Sequence, residues 1–207
     1  ATHSRFPGPA DQGGGFGMDG NPADFGDLFR LAALRGFEPK TRLQRIGLAA
    51  NLFACQEFLG LQVADVVEWC LGQLDPAYTI RQTSFSISEE FVRRLHLLRR
   101  DGKVKDIQLL LDLKATNKTL RLWPFLVQTI DQVFLVDNHS KLILIESDTD
   151  PLKVAIITSQ NLTRGNRHES AIITTDTEVY ATLLASFQDL MTNHSVPLKE
   201  LFNAKIM

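Results

Sequence analysis

Cysteine is scarce in this chain: there are two in 207 residues, Cys55 and Cys70. No Cys-x-x-Cys occurs, and no His/Cys cluster has zinc-ligand spacing. Both thiols sit in apolar, helically spaced surroundings and read as buried, unpaired sulfur. Charge of one sign is also lacking, with 22 Lys and Arg against 24 Asp and Glu for a net charge of −2. That balance removes any general electrostatic footprint for nucleic acid or anionic membrane, but permits a local basic groove. No apolar run approaches the roughly 20 residues of a membrane span. The opening ATHSRFPGPADQGGGFG has no apolar core of the kind a signal peptide needs. Four Asn-x-Ser/Thr sequons occur, at Asn117, Asn138, Asn161 and Asn193. Two of them fall among the chemistry-bearing residues below, so a glycosylated secretory history is not expected and a cytoplasmic protein is.

What is present is ordinary globular material. A hydrophobic content of 44% argues against disorder, and the length suits one substantial domain. Residues 1–20, rich in Gly, Pro and small polar side chains, read as a flexible arm. Gly15, Gly17 and Gly20 match GxGxxG there, but no strand precedes them, so a dinucleotide site is not expected. Helical spacing follows over 21–76. Asn21 and Pro22 open a first helix and Thr41 with Gln44 a second, while Val63, Val66, Val67, Cys70, Leu71 and Leu74 mark a third. From Ala77 the pattern alternates. AYTIRQTSFSI reads as a strand, SEEFVRRLHLLRRDG as an amphipathic helix, and KDIQLLLDL as a buried strand. A helical stretch broken at Trp123-Pro124 comes next, then four strands in DQVFLV, KLILIE, KVAIITS and SAIITT. TEVYATLLASFQDLM closes the pattern as a helix with Val179, Leu183, Phe187 and Leu190 inward. The expected class is α/β: a layered fold whose mixed β-sheet is flanked by helices, with an N-terminal helical segment.

One stretch departs from packing logic. In DNHSKLILIE, His139 and Lys141 stand two apart at the mouth of an apolar strand, so their side chains project together. At the end of another apolar strand, TSQN places Ser159 and Asn161 in the same relation. NRHES then adds Asn166 and Glu169. An ammonium, an amide and a hydroxyl converging on one point suit phosphate oxygens, while an imidazole attacks phosphorus or shuttles a proton. A carboxylate behind the ring fixes its tautomer.

The ordered series His139-x-Lys141, Thr158-Ser159-x-Asn161, Asn166-x-x-Glu169 resembles the HKD signature of the phospholipase D superfamily, over about residues 77–190. The departures are Glu146 in the slot usually held by Asp, a longer stretch ESDTDPLK before the TSxN strand, and Thr158 where Gly is usual. The resemblance implies a phospholipase D-like domain over 77–207 carrying one HxK half-site. It implies that His139 attacks phosphorus to form a phosphohistidine. Lys141, Asn161 and Ser159 then hold the non-bridging oxygens, and Glu169 orients His139. No metal or cofactor is implied. Since the family builds one site from two HxK halves, it also implies a homodimer joining two copies of His139. Asn193-His194-Ser195 is not a second half, because no Lys follows it in register.

The expected activity is phosphodiester hydrolysis, with DNA or RNA as the leading substrate and Arg164, Arg167 and Asn166 on flanking phosphates. A phospholipid hydrolase, or a nucleic-acid-binding module with decayed chemistry, remains open. Arg93, Arg94, Arg99, Arg100, Lys103 and Lys105 around His96 read first as a solvated helix face, and secondarily as part of a groove tracking a nucleic-acid backbone. His96 and His168 read as surface groups, and Trp69 and Trp123 as core.

Overall fold

The computed structural model describes residues 62–76, 78–163 and 169–206. The expected arm over 1–20 and the first two expected helices lie outside the described residues, as do Arg164, Asn166, Arg167 and His168. Among the described residues the order is α1 (Val63–Leu71), β1 (Tyr78–Ser84), α2 (Glu89–Arg100), β2 (Val104–Asp112), a 3-10 turn (Leu113–Ala115), α3 (Thr116–Arg121), α4 (Trp123–Thr129), β3 (Gln132–Val136), β4 (Leu142–Ser147), β5 (Val154–Thr158), β6 (Ala171–Thr174), α5 (Thr177–Asn193), β7 (Val196–Pro197) and α6 (Leu198–Ile206).

The strands form one seven-stranded mixed sheet in the order β6-β5-β4-β1-β2-β3-β7. β1 pairs parallel with β2, and β2 parallel with β3. The β1–β4, β4–β5, β5–β6 and β3–β7 pairs are antiparallel. The expected mixed α/β layering is therefore the architecture of the chain. Alternation along each strand sorts side chains between two apolar layers. Ile80, Ile107, Leu109, Leu111, Ile143 and Ile145 share a layer with the buried residues of α1 and α2. Leu110, Val136, Leu142, Leu144 and Ala155 pack on the other side with Tyr180 and Phe187 of α5. Central strands buried on both faces explain why KDIQLLLDL and KLILIE read as near-continuous apolar runs.

Helix boundaries follow local chemistry. The Ser88 side chain accepts from the Phe91 amide at the start of α2, and the Asp176 carboxylate accepts from the amides of Glu178 and Val179 at the start of α5, as N-caps do. α2 ends before Gly102, whose φ of 69° suits a residue without Cβ. The break at Leu122 separates α3 from α4, with Pro124 in the first turn of α4, where its missing N–H costs nothing.

α1 belongs to the sheet's own core. The Tyr78 hydroxyl donates to the carbonyls of Leu71 and Leu74 at 2.5 and 2.7 Å. Arg94 of α2 holds Asp65 and Glu68 at 2.7 and 2.6 Å. Cys70 is fully buried, and burial pushes its thiol up to about 12. α5 corrects one expectation. Val179 faces out at 40% exposure, and Tyr180 beside it is buried at 1%. Register explains the swap: Tyr180 and Phe187 lie seven residues apart, about two helical turns, and form one stripe.

Candidate functional site

Strand directions bring six chain segments to one end of the sheet. β1 and β2 finish there at Ser84 and Asp112, β3 at Val136, and β5 at Thr158, while β4 and β6 begin there at Leu142 and Ala171. The turn ahead of β4, the loop after β5 and the approach to β6 are thus neighbours. His139, Lys141, Ser159, Asn161 and Glu169 all line one cavity of about 820 Å³, with Thr83, Ser140 and Ile157 beside them and Leu183, Ser186, Phe187 and Leu190 of α5 as its wall.

The His139 turn is braced from below. The Asp112 carboxylate, 2% exposed, accepts from the amides of Asn138 at 3.1 Å and Lys114 at 2.7 Å. The Asn138 side-chain oxygen accepts from the Ser140 amide at 2.9 Å and hydroxyl at 2.7 Å. The Ser140 hydroxyl lies 2.8 Å from that of Thr83, whose oxygen also accepts from the Leu142 amide at 3.0 Å. His139 is left exposed at the tip, its ring tilted 57° to that of Phe85 with centroids 5.6 Å apart. The Lys141 ammonium folds back on it, donating to the His139 carbonyl at 2.8 Å and lying 3.3 Å from Nδ1. An ammonium only donates, so Nδ1 is the acceptor in this arrangement.

The facing half is built as tightly. Ser159 donates its hydroxyl to Glu169 and accepts from the Ser170 amide at 2.9 Å. Asn161 Oδ1 lies 3.4 Å from the Ser84 hydroxyl, which accepts from the Leu162 amide at 3.0 Å. Gln160 points the other way and is buried. Its side chain accepts from the Val63 amide at 2.6 Å and donates to Gln62 at 3.0 Å, tying the start of α1 to the site loop. Glu169, expected to orient His139, has Ser159 as its partner here.

Sequence reading missed Asp112, Thr83, Ser84 and Gln160. Asp112 carried a signal, since an acid ending the apolar run LLLD has to be paired or exposed. Nothing local marks the other three, whose roles come from strand pairing. Glu146 lies toward the far end of β4, at 2.5 Å from Arg81 and 3.5 Å from Lys153. Burial works to raise its pKa, and the two cations outweigh it, so the carboxyl sits below its ordinary range. Asp148, the other carboxylate near that slot, pairs with Lys105.

The basic run on α2 is neutralised. Arg93 meets Glu89, Arg94 meets Asp65 and Glu68, Arg99 meets Asp131, and Arg100 meets Asp101. Each of these arginines thus has a carboxylate within ion-pair distance, as the solvated-face reading of the helix expects. His96 is exposed, with Nδ1 3.4 Å from the Thr129 hydroxyl. Trp123, half-buried, stacks on Phe202 at 5.0 Å.

Fold and site together define a mixed α/β domain carrying a cavity of imidazole, ammonium, amide, hydroxyl and carboxylate groups at one sheet end. No family model and no curated protein matches the sequence. Among solved structures the chain is similar to phosphatidylserine synthase of Haemophilus influenzae Rd KW20, at 16% identity and TM-score 0.46, covering 68% of this chain and 38% of that one. It is similar to polyphosphate kinase from Porphyromonas gingivalis at 12% identity and TM-score 0.45, covering 83% of this chain and 26% of that one. It is also similar to TrmBL2, an archaeal chromatin protein whose structure shows a novel mode of DNA binding, at 12% identity and TM-score 0.39, covering 82% and 60%. The chain thus spans less than two thirds of each of these chains. Among the described residues no helix is long and apolar enough to cross a membrane, and no group of His, Cys, Asp or Glu is placed to hold a metal ion.

Proposed function

We propose that this chain carries a phosphodiesterase site of phospholipase D type in its 77–207 region, working on a nucleic acid and completed by a second copy. The observation that carries the reading is the convergence of His139, Lys141, Ser159, Asn161 and Glu169 on one cavity. Five polar groups of the types a phosphoryl transfer needs, drawn from both sides of a sheet end, are hard to explain by packing, because none of them fills a core.

The arrangement suggests how the steps run. An incoming phosphodiester competes for Lys141, drawing the ammonium off His139 and onto a non-bridging oxygen, with the Asn161 amide beside it. With the ammonium gone, the His139 proton exchanges through solvent from Nε2 to Nδ1, and Glu169 leaves Ser159 to accept from that Nδ1–H, which leaves the lone pair on Nε2 free and frees the Ser159 hydroxyl to donate to phosphate. Nε2 attacks phosphorus, and the bond from phosphorus to the leaving oxygen breaks. His139 of the second copy, protonated, gives its proton to that oxygen. The now neutral second imidazole takes a proton from water, the hydroxide attacks phosphorus, and the P–N bond breaks to return both rings to their starting states. Arg164, Asn166 and Arg167, which fall between Asn161 and Glu169 in the sequence, are assigned to flanking phosphates.

A single half-site needs its twin. The cavity rim offers apolar surface for one, with Ile157 39% exposed and Leu183 and Leu190 half-buried alongside. The test is hydrolysis of bis(p-nitrophenyl) phosphate in EDTA, with the protein sized by sedimentation at the assay concentration. Turnover by a dimer that survives chelation and falls about 1,000-fold in His139→Ala supports the reading. No turnover in wild type sinks the chemistry, and turnover by a monomer sinks the shared site.

A further inference from the structure

We infer that the 3-10 turn and α3 form a track for the phosphate backbone of a single-stranded nucleic acid leading into the His139 site, with Lys114, Lys118 and Arg121 as its contacts. The inference rests on the phosphodiesterase reading for its direction, since it names what the site's substrate continues into.

The first observation is where the protein leaves positive charge unmatched. Arg81, Lys105, Lys153 and the arginines of α2 all have carboxylate partners within ion-pair distance. Among the described side chains the cations without one are Lys103, Lys118, Arg121, Lys141 and Lys199. Lys103 precedes β2 at the opposite end of the sheet, and Lys199 lies on α6. The other three belong to the site end or to the helix that leaves it. Lys114 adds to them, since its pair with Asp137 is long at 3.5 Å and joins two side chains 74% and 80% exposed. Such a pair contributes little and is readily exchanged for a phosphate.

The second observation is that this segment carries no acid. From Leu113 to Ile130 the sequence contains neither Asp nor Glu, whereas α2 opens on Glu89 and Glu90 ahead of its arginines. Lys114, Lys118 and Arg121 are spaced four and three apart, so they follow one side of the turn and helix. Lys118 and Arg121 are fully on the surface, while Thr119 is buried and Leu120 packs on the core.

The third observation is the mechanical link to the catalytic turn. Asp112 binds the Lys114 amide with one oxygen and the Asn138 amide with the other. The start of the basic segment and the His139 turn are therefore held by one buried carboxylate. A chain of phosphates bound along α3 would arrive at His139 in fixed register. A bilayer fits this stripe less well, because Leu113 is the one large apolar side chain exposed on the turn and α3, with Ala115 buried and Leu120 packed on the core.

The test measures binding of a fluorescent single-stranded oligonucleotide to the full chain by anisotropy, in the His139→Ala background to prevent turnover. Affinity falls with salt by about 0.7 logarithmic units per phosphate contact on a single strand. Lys118→Gln with Arg121→Gln should therefore flatten the slope by about 1.4, shrinking the affinity gap to the parent about 7-fold between about 50 and 200 mM salt. Lys103→Gln with Lys199→Gln should keep the parental slope. An unaltered slope in the α3 variant overturns the track, as does equal flattening by both pairs. Failure to bind the oligonucleotide while binding phosphatidylglycerol vesicles through Lys118 and Arg121 also overturns it, in favour of a membrane. The catalytic reading fails separately, if wild type with His139 intact cleaves no phosphodiester.

Discussion

Asp112→Ala tests whether the candidate site is built on a buried brace. The carboxylate is 2% exposed and accepts two backbone amides, from Lys114 at 2.7 Å and Asn138 at 3.1 Å. A hydrogen bond to a charged group contributes about 1.5–3 kcal/mol, and a buried donor left without a partner costs about 1–3 kcal/mol. The Asn138 amide is buried and loses its partner entirely, while the Lys114 amide lies nearer solvent. Taken together, these give a loss of about 3–4 kcal/mol for the alanine variant. At about 2–4 °C per kcal/mol in a chain of this size, the melting temperature should drop by roughly 6–16 °C. Asp112→Asn keeps one acceptor oxygen without the charge and should lose about half as much. Thermal unfolding followed by circular dichroism reads both. If the alanine variant melts within about 1 °C of the parent, the two bonds do not brace the turn, and the derivation of the site from it fails.

Gln82 is fully buried between Leu109 and Ile143 in the register of β1, and both its amide atoms lack a hydrogen-bond partner. Gln82→Leu should raise stability by about 1–2 kcal/mol, read as a higher urea midpoint, and a lower midpoint would mean that the amide is satisfied. Acid should destabilise the fold through Glu146 and Asp131. Burial opposes the charged form of each carboxyl, but Arg81 and Lys153 at Glu146, and Arg99 with the Ile107 amide at Asp131, hold both below their ordinary values of 4.5 and 3.8. A lowered folded-state pKa gives stability that is complete above the ordinary value and disappears as pH falls through the folded one. Unfolding free energy should therefore drop below about pH 4.5, and drop less in an Arg81→Met, Glu146→Leu double variant. An unchanged acid limb in that variant would show that the pair contributes nothing.

Strand order was the part least legible in the sequence. Strand patterns located β1 to β6 to within a few residues, most plainly β2 and β4, whose successive apolar residues are buried on both faces. Nothing in those runs says that β4 inserts beside β1 rather than β3, and that crossover is what turns four separate strand ends into one site. The two-residue strand Val196–Pro197 was unreadable for its shortness. His139 and Lys141 stood out because polar groups at the mouth of a greasy strand need a reason. Gln160 did not, because its partners are about a hundred residues away at Gln62 and Val63. Val179 misled because an apolar residue at helical spacing looks the same on either side of a stripe whose phase is set by Tyr180 and Phe187.

The two halves of the cavity hang from parts of the sheet with different depths of support. His139 and Lys141 sit in the turn that leads into β4, next to the central strand, whose amides should exchange with solvent only when the whole domain opens. Ser159, Asn161 and Glu169 hang from β5 and from β6, which is four residues long and forms one margin of the sheet. Fraying that starts at this margin would dismantle the second half while the first stands intact. Mild denaturant should then abolish function well before spectroscopy registers any loss of fold.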